Sequence, residues 1–513
     1  MKNKIYFIIL VVFSISINQY FGYKGVFPID SFVNYDSSYN ITNGNHPFID
    51  YWTITGPLVV YFQSLFFLIL GVNWFSYVIH ASLMNMILTL STFYFFKKIG
   101  LKQFYSFIYS LGVAILAYPV IGVPFVDHHA VIFSIISFFT FSLAILYQKN
   151  LFWYLTPILL AFSFFTKQIP SAYIIILFMV IFVLYFLLTK NLNKQNLLYF
   201  FLGGLSSILL VLILFFINNI PIKNFLAQYI FYPISIGNDR IENLSFGFNN
   251  IIGQFKFIYL SLAPLVIGAF VLFKIKNKKL IEKKDFIIFF LFIGSVIIFI
   301  YCQLITMNQI FIFLLIPISA AFSHLYISRY YNKNFLIYFT LAIFIFSTGK
   351  YHIRFNENKK FMELINVDFN LALDAKKIDK SLSGLKWITP AYKENPSKEI
   401  KLLINTKNFL QKNNTPKIII TDYQFFNSIL QNKFSSPNKF YDDRSVPDKK
   451  NKYYKDYKKF FISNINKNNI QYIYLIGKNK ETFFKDHIDD IKCVISTDLN
   501  ELLTEFNIKK CQF

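Results

Sequence analysis

Carboxylates are scarce in the first 349 residues of this 513-residue sequence, so their positions are informative. Eight acids occur there, namely Asp30, Asp36, Asp50, Asp127, Asp239, Glu242, Glu282 and Asp285. The segments between them are long and apolar, and ionisable groups near membrane depth are costly and tend to mark functional sites. A carboxylate at a lipid surface can accept the proton of an attacking hydroxyl group. These acids are therefore the first candidates for chemistry.

Asp30 and Asp36 follow the first apolar segment, within FPIDSFVNYDSSYNI at residues 27–41. Pro28 indicates that a helix begins near Asp30, so Asp30 could cap that helix instead of taking part in chemistry. Helical spacing from this start would place an aromatic stripe on the bilayer surface, formed by Phe32, Tyr35 and Tyr39. Asp36 could simply face water. Asp30 is our first candidate for a catalytic base, and Asp36 is the second.

Asp127 precedes the fourth long apolar segment, within GVPFVDHHAVIF at residues 122–133. It is a candidate catalytic acid, although an Asp before an apolar helix is also a common start signal. Adjacent histidines point to different sides of a helix, so His128 and His129 do not readily share one metal ion with Asp127. One of them could instead donate a hydrogen bond to a substrate or tune Asp127.

Positively charged and amide side chains occur in two other loops. Lys167 and Gln168 join two apolar segments in FFTKQIPSAY at residues 164–173. Lys binds phosphate as a point charge, whereas the alternative is snorkelling to the membrane interface; an anionic lipid headgroup fits both. Arg240 lies in the long loop at residues 218–250, which could gate the access of a lipid or form a passive cover.

The elements that position these residues are mostly apolar. With 55% hydrophobic, 20% aromatic and 15% charged residues, the chain indicates a polytopic α-helical membrane protein. A shorter apolar segment, PLVVYFQSLFFLILG at 57–71, predicts a juxtamembrane helix in the first outer loop. Eleven segments are long enough to cross a bilayer, at about residues 4–23, 75–96, 104–122, 129–147, 151–166, 169–189, 198–218, 252–273, 286–305, 309–327 and 335–349.

The distribution of Lys and Arg predicts the orientation of these segments, because positively charged loops stay cytoplasmic. With a cytoplasmic N-terminus, sixteen such residues fall on inside segments and five on outside segments. We expect a multi-pass protein of the inner (plasma) membrane whose first segment is an uncleaved anchor. The net charge of +24 is scattered along the chain, so a nucleic-acid partner is not expected.

After residue 349 the sequence becomes polar and Lys-rich, which predicts two domains, 1–349 and 350–513. The second shows a helical spacing at 399–414 and three apolar runs typical of strands, KIIITDY (417–423), IQYIYLIG (470–477) and KCVIST (492–497). This alternation favours a small extracytoplasmic soluble α/β domain with a largely parallel sheet.

Three smaller features of the second domain carry expectations of their own. Asp422 follows a strand and either lines a ligand crevice or caps the next helix. Residues 433–460 are expected to form a long surface loop. Cys493 and Cys511 could pair if the domain lies outside the cytoplasm, and idle thiols are the alternative.

The stretch YNITNGNHPFIDYWTITGPLVVYFQSLFFLILG at 39–71 resembles the first outer loop of the GT-C glycosyltransferases, which include protein O-mannosyltransferases and aminoarabinose or arabinosyl transferases. In that loop an acid is followed by a helix ending at Gly, a Pro-aromatic-x-Asp segment and a Gly-Pro pair. The matching residues are Asp30, Gly44, Pro47, Phe48, Asp50, Gly56 and Pro57. The usual Asp-Glu pair is Asp30-Ser31 here, so either Asp30 or Asp36 holds the catalytic position.

The resemblance implies transfer of a hexosyl or pentosyl group from a polyprenyl-phosphate donor to a lipid, glycan or protein acceptor at the outer, periplasmic face. An Asp would act as general base with inversion at the anomeric carbon, and Asp127 would be a second catalytic acid. No cofactor is expected with certainty, and a divalent metal stays open. Candidate substrate-binding residues are Asp50, His128, His129, Lys167, Gln168 and Arg240.

Other classes of membrane protein stay as alternatives. A transporter usually buries charge near the midplane and often has repeated halves, whereas the acids here lie at one predicted face. A lipid-linked glycan polymerase or ligase generally relies on outer-loop arginines, and only Arg240 is available in such a loop. A non-enzymatic membrane anchor for the C-terminal domain is the structural alternative.

Overall fold

The computed structural model describes residues 2–189, 193–242, 247–274, 283–306, 310–331, 334–433, 436–442, 444–477 and 495–509. Its α-helices, numbered in chain order, are α1 (Lys2–Gly22), α2 (Pro28–Phe32), α3 (Tyr35–Thr42), α4 (Leu58–Leu70), α5 (Trp74–Lys98), α6 (Gln103–Leu116), α7 (Val126–Tyr147), α8 (Asn150–Thr166), α9 (Gln168–Thr189), α10 (Lys194–Ile217), α11 (Ile222–Phe225), α12 (Tyr232–Glu242), α13 (Lys256–Lys274), α14 (Lys283–Thr306), α15 (Leu315–Tyr330), α16 (Asn334–Tyr351), α17 (Pro396–Lys412), α18 (Phe426–Ile429) and α19 (Tyr454–Lys467).

The chain is a multi-pass helical membrane protein with a C-terminal α/β region, as the composition predicts. Within the described ranges, eight helical spans are long and apolar enough to cross a membrane. Each of the eleven predicted segments coincides with one of α1, α5 to α10 and α13 to α16. The apolar parts of α8 and α13 are shorter than a full crossing, and so is α15 with its 16 residues. Helix α4, which forms the helix predicted at 57–71, is also shorter.

Helix α7 lies at the centre of the bundle. Almost every side chain from Val126 to Ile145 is buried, and small residues allow its neighbours to approach closely. The Ser163 hydroxyl of α8 bonds to that of Ser134 on α7 at 2.7 Å and to that of Ser171 on α9 at 2.6 Å. This packing fixes the first turn of α7, which carries Asp127.

The C-terminal region contains a small hairpin and a four-stranded sheet. The strands are β1 (Leu373–Asp374), β2 (Lys386–Trp387), β3 (Lys417–Thr421), β4 (Tyr472–Ile476), β5 (Ile495–Asp498) and β6 (Leu503–Asn507). The sheet order is β3-β4-β6-β5, and only β3 and β4 run parallel. The predicted largely parallel sheet is therefore wrong, because the short connection from β5 to β6 allows only an antiparallel pair.

The C-terminal region packs directly on α2 and α3. The Phe32 ring lies 6.0 Å from that of Trp387 and 4.8 Å from that of Phe425. Phe32 and Tyr35 are fully buried, so the predicted aromatic stripe on the bilayer surface is wrong. The predicted domain boundary after residue 349 falls inside α16, which ends at Tyr351.

The predicted surface loop at 433–460 is also wrong. Residues 436–440 are buried, and α19 begins inside the predicted loop. The backbone there pairs with the first loop: the Trp52 N–H donates to the Pro437 carbonyl at 2.7 Å, and the Lys439 N–H donates to the Trp52 carbonyl at 2.9 Å. We call residues 436–442 with 444–445 the docking segment. The predicted Cys493–Cys511 pair lies outside the described residues, and Cys302 is a buried free thiol.

Candidate active-site cavity

A cavity of about 500 Å³ lies between the helix bundle and the docking segment. Its walls come from α2, the loop before α4, the start of α7, the α8–α9 junction, α12, the end of α14 and the docking segment. Five of the residues singled out in the sequence line it together: Asp30, Asp127, Lys167, Gln168 and Arg240. The fold therefore brings together side chains that are up to 210 positions apart in sequence.

Asp30 stands in the first turn of α2. The helix begins at Pro28 with Phe27 as its N-cap, and the Phe27 N–H donates to the Ser31 hydroxyl at 3.0 Å. Asp30 is therefore not the helix cap, and within the described chain its carboxylate makes no hydrogen bond or ion pair. Burial, with the charges of Asp127, Asp422 and Asp442, raises the pKa of Asp30 to about 7. A carboxyl with that pKa can accept a proton near neutral pH.

Asp127 and Lys167 form a buried ion pair. The Lys167 ammonium donates to the Asp127 carboxylate at 2.5 Å, and the two side chains are 18% and 6% exposed. Lys167 follows the last residue of α8, and Asp127 is not the cap of α7, whose N-cap is Phe125. Lys167 therefore neutralises Asp127 instead of snorkelling, and each partner offsets part of the cost of burying the other.

Gln168 and Arg240 have different surroundings. The Gln168 amide donates to the carbonyls of Ile54 at 2.8 Å and Tyr229 at 2.6 Å, so it ties the first loop to the segment before α12. The Arg240 Nε is buried and has no hydrogen-bond partner within the described chain. Burial lowers the pKa of Arg240, and Arg444 adds to this effect, while Asp442 and Asp127 oppose it. Arg240 therefore offers the cavity a donor that its own chain does not satisfy.

Asp36 and Asp50 lie outside the lining of the cavity. Asp36 is only 7% exposed and accepts a hydrogen bond from the Asn427 amide at 2.8 Å, so the water-facing alternative for Asp36 is wrong. Burial raises the pKa of Asp36 to about 7, although hydrogen bonds from Asn427 and Ser428 oppose the rise. Asp50 accepts from the His46 N–H at 2.8 Å and from the Lys467 ammonium at 3.1 Å. Both acids connect the first loop internally or to the C-terminal region.

His128 and His129 are fully buried inside the bundle and do not line the cavity. His128 Nε2 lies 3.1 Å from the Ala117 carbonyl oxygen. His129 belongs to a hydrogen-bonded group with partners that the sequence did not single out: His129 Nε2 is 3.0 Å from His80 Nε2, His80 Nδ1 is 3.0 Å from Gln63 Oε1, and His129 Nδ1 contacts the Tyr118 hydroxyl. Across the described residues, no group of three or more His, Cys, Asp or Glu could hold a metal ion.

Two glycines of the first loop have different roles, close packing at Gly56 and a left-handed backbone at Gly44. A Cβ on Gly56 would lie 1.9 Å from the Phe165 carbonyl oxygen, and the Gly56 N–H donates to the Thr166 carbonyl at 3.0 Å. Gly44 has φ +80°, in the region that favours glycine. The close approach at Gly56 pins the loop to the end of α8 and places Thr55 in the cavity wall.

Sequence reasoning missed the contribution of the C-terminal region to this cavity. Phe440, Asp442 and Ser445 line it, although their segment reads as a polar, Lys-rich loop. Asp422 stands near enough for its charge to raise the pKa of Asp30. The missed signal is FYDD at 440–443, an aromatic and acids in a stretch otherwise rich in Lys, but nothing local links it to Asp30.

The chain is similar to an archaeal oligosaccharyltransferase. The crystal structure is that of the Archaeoglobus fulgidus enzyme in complex with Zn and sulfate, with 13% sequence identity and a TM-score of 0.43. The match covers 91% of this chain and 67% of that chain. No protein-family model matches the sequence, and a search of curated proteins finds no match.

The cavity combines three acids, two cations and apolar walls. Most of its remaining lining is aliphatic or aromatic, including Ile29, Val33, Ile54, Phe125, Phe164, Ile169, Ile230, Ile234, Ile236, Ile241 and Ile305. On α12, Ile234 and Ile241 are also 57% and 45% exposed, so the apolar wall continues onto the outer surface of the protein. This arrangement suits a ligand with an apolar chain and an anionic head, next to a carboxylate that can take a proton.

Proposed function

We propose that the protein is an integral-membrane glycosyltransferase that moves a sugar from a polyprenyl-phosphate donor to a hydroxyl group of a lipid, glycan or protein acceptor. One observation carries the proposal: Asp30, with a pKa near neutrality and no partner in the described chain, shares a largely apolar cavity with Arg240, whose buried Nε has no partner among the described residues. General-base catalysis needs a carboxylate that is free to take a proton, as Asp30 is. A departing phosphate needs a positively charged hydrogen-bond donor, which Arg240 provides.

In the proposed reaction, Asp30 takes the proton of the acceptor hydroxyl while its oxygen attacks the anomeric carbon. The bond from that carbon to the phosphate oxygen breaks, and the lipid phosphate leaves with the electron pair. Arg240 donates to the phosphate as its charge increases. Lys167 is already bonded to Asp127, so we assign this pair to fixing the α7 and α8 ends of the cavity. Direct displacement inverts the anomeric centre.

The exposed apolar face of α12 supports a lipid donor. Ile234 and Ile241 belong both to the cavity wall and to the exposed surface, so a prenyl chain could lie along α12 while its phosphate lies near Arg240. The excess of Lys and Arg on the other predicted side supports an outer-face site in the inner membrane, with the C-terminal region extracytoplasmic.

The test uses purified protein in lipid nanodiscs with radiolabelled polyprenyl-phosphate sugars and a membrane extract as acceptor. We expect transfer by the parent and a loss of about a hundred-fold to ten-thousand-fold in Asp30→Asn, which is the range for a general base. Asp456→Asn, at an exposed acid on α19, is the matched control. A transporter would move the labelled lipid without forming product, and a folded Asp30→Asn variant as active as the parent contradicts the proposal.

A further inference from the structure

The docking segment is held by a buried lysine. Lys439 is 4% exposed, and its ammonium donates to the Asn34 side-chain oxygen at 2.8 Å and to the Thr55 hydroxyl at 3.0 Å. It pairs with no acid among the described residues, and burial lowers the pKa of Lys439 to about 7. Burying a lysine among neutral oxygens costs free energy that a Met or Leu would not cost. A lysine at position 439 is therefore less favourable for packing than an apolar side chain would be.

Lys439 joins three walls of the cavity through its partners. Thr55 lines the cavity itself. The Asn34 amide donates to the Pro124 carbonyl at 2.8 Å, immediately before the lining residues 125–127. Phe440, the next residue after Lys439, lines the wall on the C-terminal side. One ammonium therefore connects the first loop, the start of α7 and the docking segment.

The docking segment places the carboxylate of Asp442 in the cavity wall and holds it by backbone hydrogen bonds. One oxygen of Asp442 accepts from the backbone N–H groups of Arg444 at 3.0 Å and Ser445 at 2.5 Å, which closes a tight turn. Asp442 lines the cavity at an exposed position, and its charge raises the pKa of Asp30. The charged groups around Asp30 are Asp127 with Lys167 from the bundle, Arg240 from α12, and Asp422 and Asp442 from the C-terminal region.

We propose that Lys439 is a positioning residue of the reaction site, which fixes the docking segment against the first loop and thereby holds the Asp442 carboxylate in the same cavity as Asp30 and Arg240. The importance of Asp30 rests on the proposed function, whereas the placement of Asp442 does not. Two readouts without a sugar donor therefore separate a failure of this proposal from a failure of the proposed function.

The first readout is hydrogen–deuterium exchange at the Trp52 and Lys439 amides, which pair the two segments. The second is the pH dependence of Asp30 labelling by dicyclohexylcarbodiimide, which reacts with protonated carboxyl groups. Both use the full chain in nanodiscs. The variants are Lys439→Met, Asp442→Asn and the control Lys433→Met, which changes an exposed lysine. Asn keeps the side-chain oxygen that closes the Asp442 turn and removes only the charge.

We expect Lys439→Met to speed exchange at both amides at least ten-fold and to lower the labelling midpoint of Asp30 by about half a pH unit, because Asp442 leaves the cavity. Asp442→Asn should lower the midpoint equally without changing exchange, and Lys433→Met should change neither. The direction of the change distinguishes two causes. Loss of the positive charge of Lys439 by itself would raise the labelling midpoint of Asp30, whereas displacement of the Asp442 carboxylate lowers it.

An unchanged or raised midpoint in Lys439→Met overturns the proposal, and so does exchange within two-fold of the parent. An unchanged midpoint in Asp442→Asn also overturns it. If Lys439→Met does not fold, Thr55→Val removes one of the two ammonium acceptors at nearly constant volume, and faster exchange with a lowered midpoint is then required.

Discussion

Replacing Asp30 and Asp36 separately by Asn distinguishes two carboxylates that have similarly raised pKa values but different surroundings. Both have pKa values of about 7, mainly because of burial. Asp30 has no partner in the described chain and lines the cavity, whereas Asp36 is bonded to Asn427 and does not. We expect Asp30→Asn to remove activity and Asp36→Asn to keep it while stabilising the protein above pH 7.

The magnitude for Asp36 follows from proton linkage. Between about pH 4 and pH 7 the unfolded state loses the Asp36 proton while the folded state keeps it, so the free energy of unfolding falls as pH rises. The rise from 3.8 to about 7 corresponds to about 4 kcal/mol lost by pH 8. An Asn at position 36 keeps an oxygen for the Asn427 amide and has no charge to desolvate. Asp36→Asn should therefore remove most of this loss.

For Asp30, the expected effect of the substitution is on the reaction rate. A general base contributes about a hundred-fold to ten-thousand-fold, so Asp30→Asn should lose that factor. In the parent, the rate should rise with pH and level off above about pH 7, because the ionised form of Asp30 is the base. Unfolding does not explain such a loss, since removal of a buried charge favours the folded state.

The assay pairs initial rates of polyprenyl-phosphate release between pH 5 and pH 9 with thermal unfolding at pH 5 and pH 8. The assignment of different roles to Asp30 and Asp36 is refuted if Asp36→Asn loses as much activity as Asp30→Asn while remaining folded. It is equally refuted if the unfolding temperature of Asp36→Asn relative to the parent is the same at both pH values.

Three further predictions concern the cavity walls. Arg240→Gln should weaken binding of polyprenyl phosphate about ten-fold to hundred-fold, measured by titration in nanodiscs, because one charge-assisted hydrogen bond is lost. Gly56→Ala should lower the free energy of unfolding by about 1–3 kcal/mol, measured by urea unfolding, because its Cβ would meet the Phe165 carbonyl at 1.9 Å. Lys167→Met should destabilise by about 3–5 kcal/mol, and adding Asp127→Asn should restore much of it in a double-mutant cycle, because the single variant leaves a buried carboxylate unpaired.

The helical part of the fold could be predicted because lipid imposes a strong length and hydropathy signal on each span. The sheet order could not, since a run such as Ile495–Asp498 has the same composition whether its neighbour is parallel or antiparallel. The first loop was predicted as a helix near Asp30 and a helix after Pro57, and both are present. What covers that loop depends on a residue 405 positions away, which no local pattern indicates.

The residues of the candidate site also divide into those that the sequence could predict and those that it could not. Asp30, Asp127 and Lys167 stand out because charge at the end of an apolar helix is rare, and they do lie in one cavity. His128 and His129 also stand out by type, but their partners come from other helices and keep them inside the bundle. The contribution of Asp442 could not be predicted, because a polar segment becomes a cavity wall only through long-range pairing. The chemical roles of all these residues stay predictions.

The pairing of the docking segment with the first loop also has a consequence for biosynthesis. Lys439 and Asn34 are 405 positions apart, so one wall of the cavity is missing until translation has passed residue 445. The membrane spans of the described residues all precede Lys439, and the C-terminal region must reach the same side of the membrane as α2. A nascent or truncated chain can therefore insert its helices before the cavity has its full set of walls, and the cavity is completed only when the docking segment reaches the first loop.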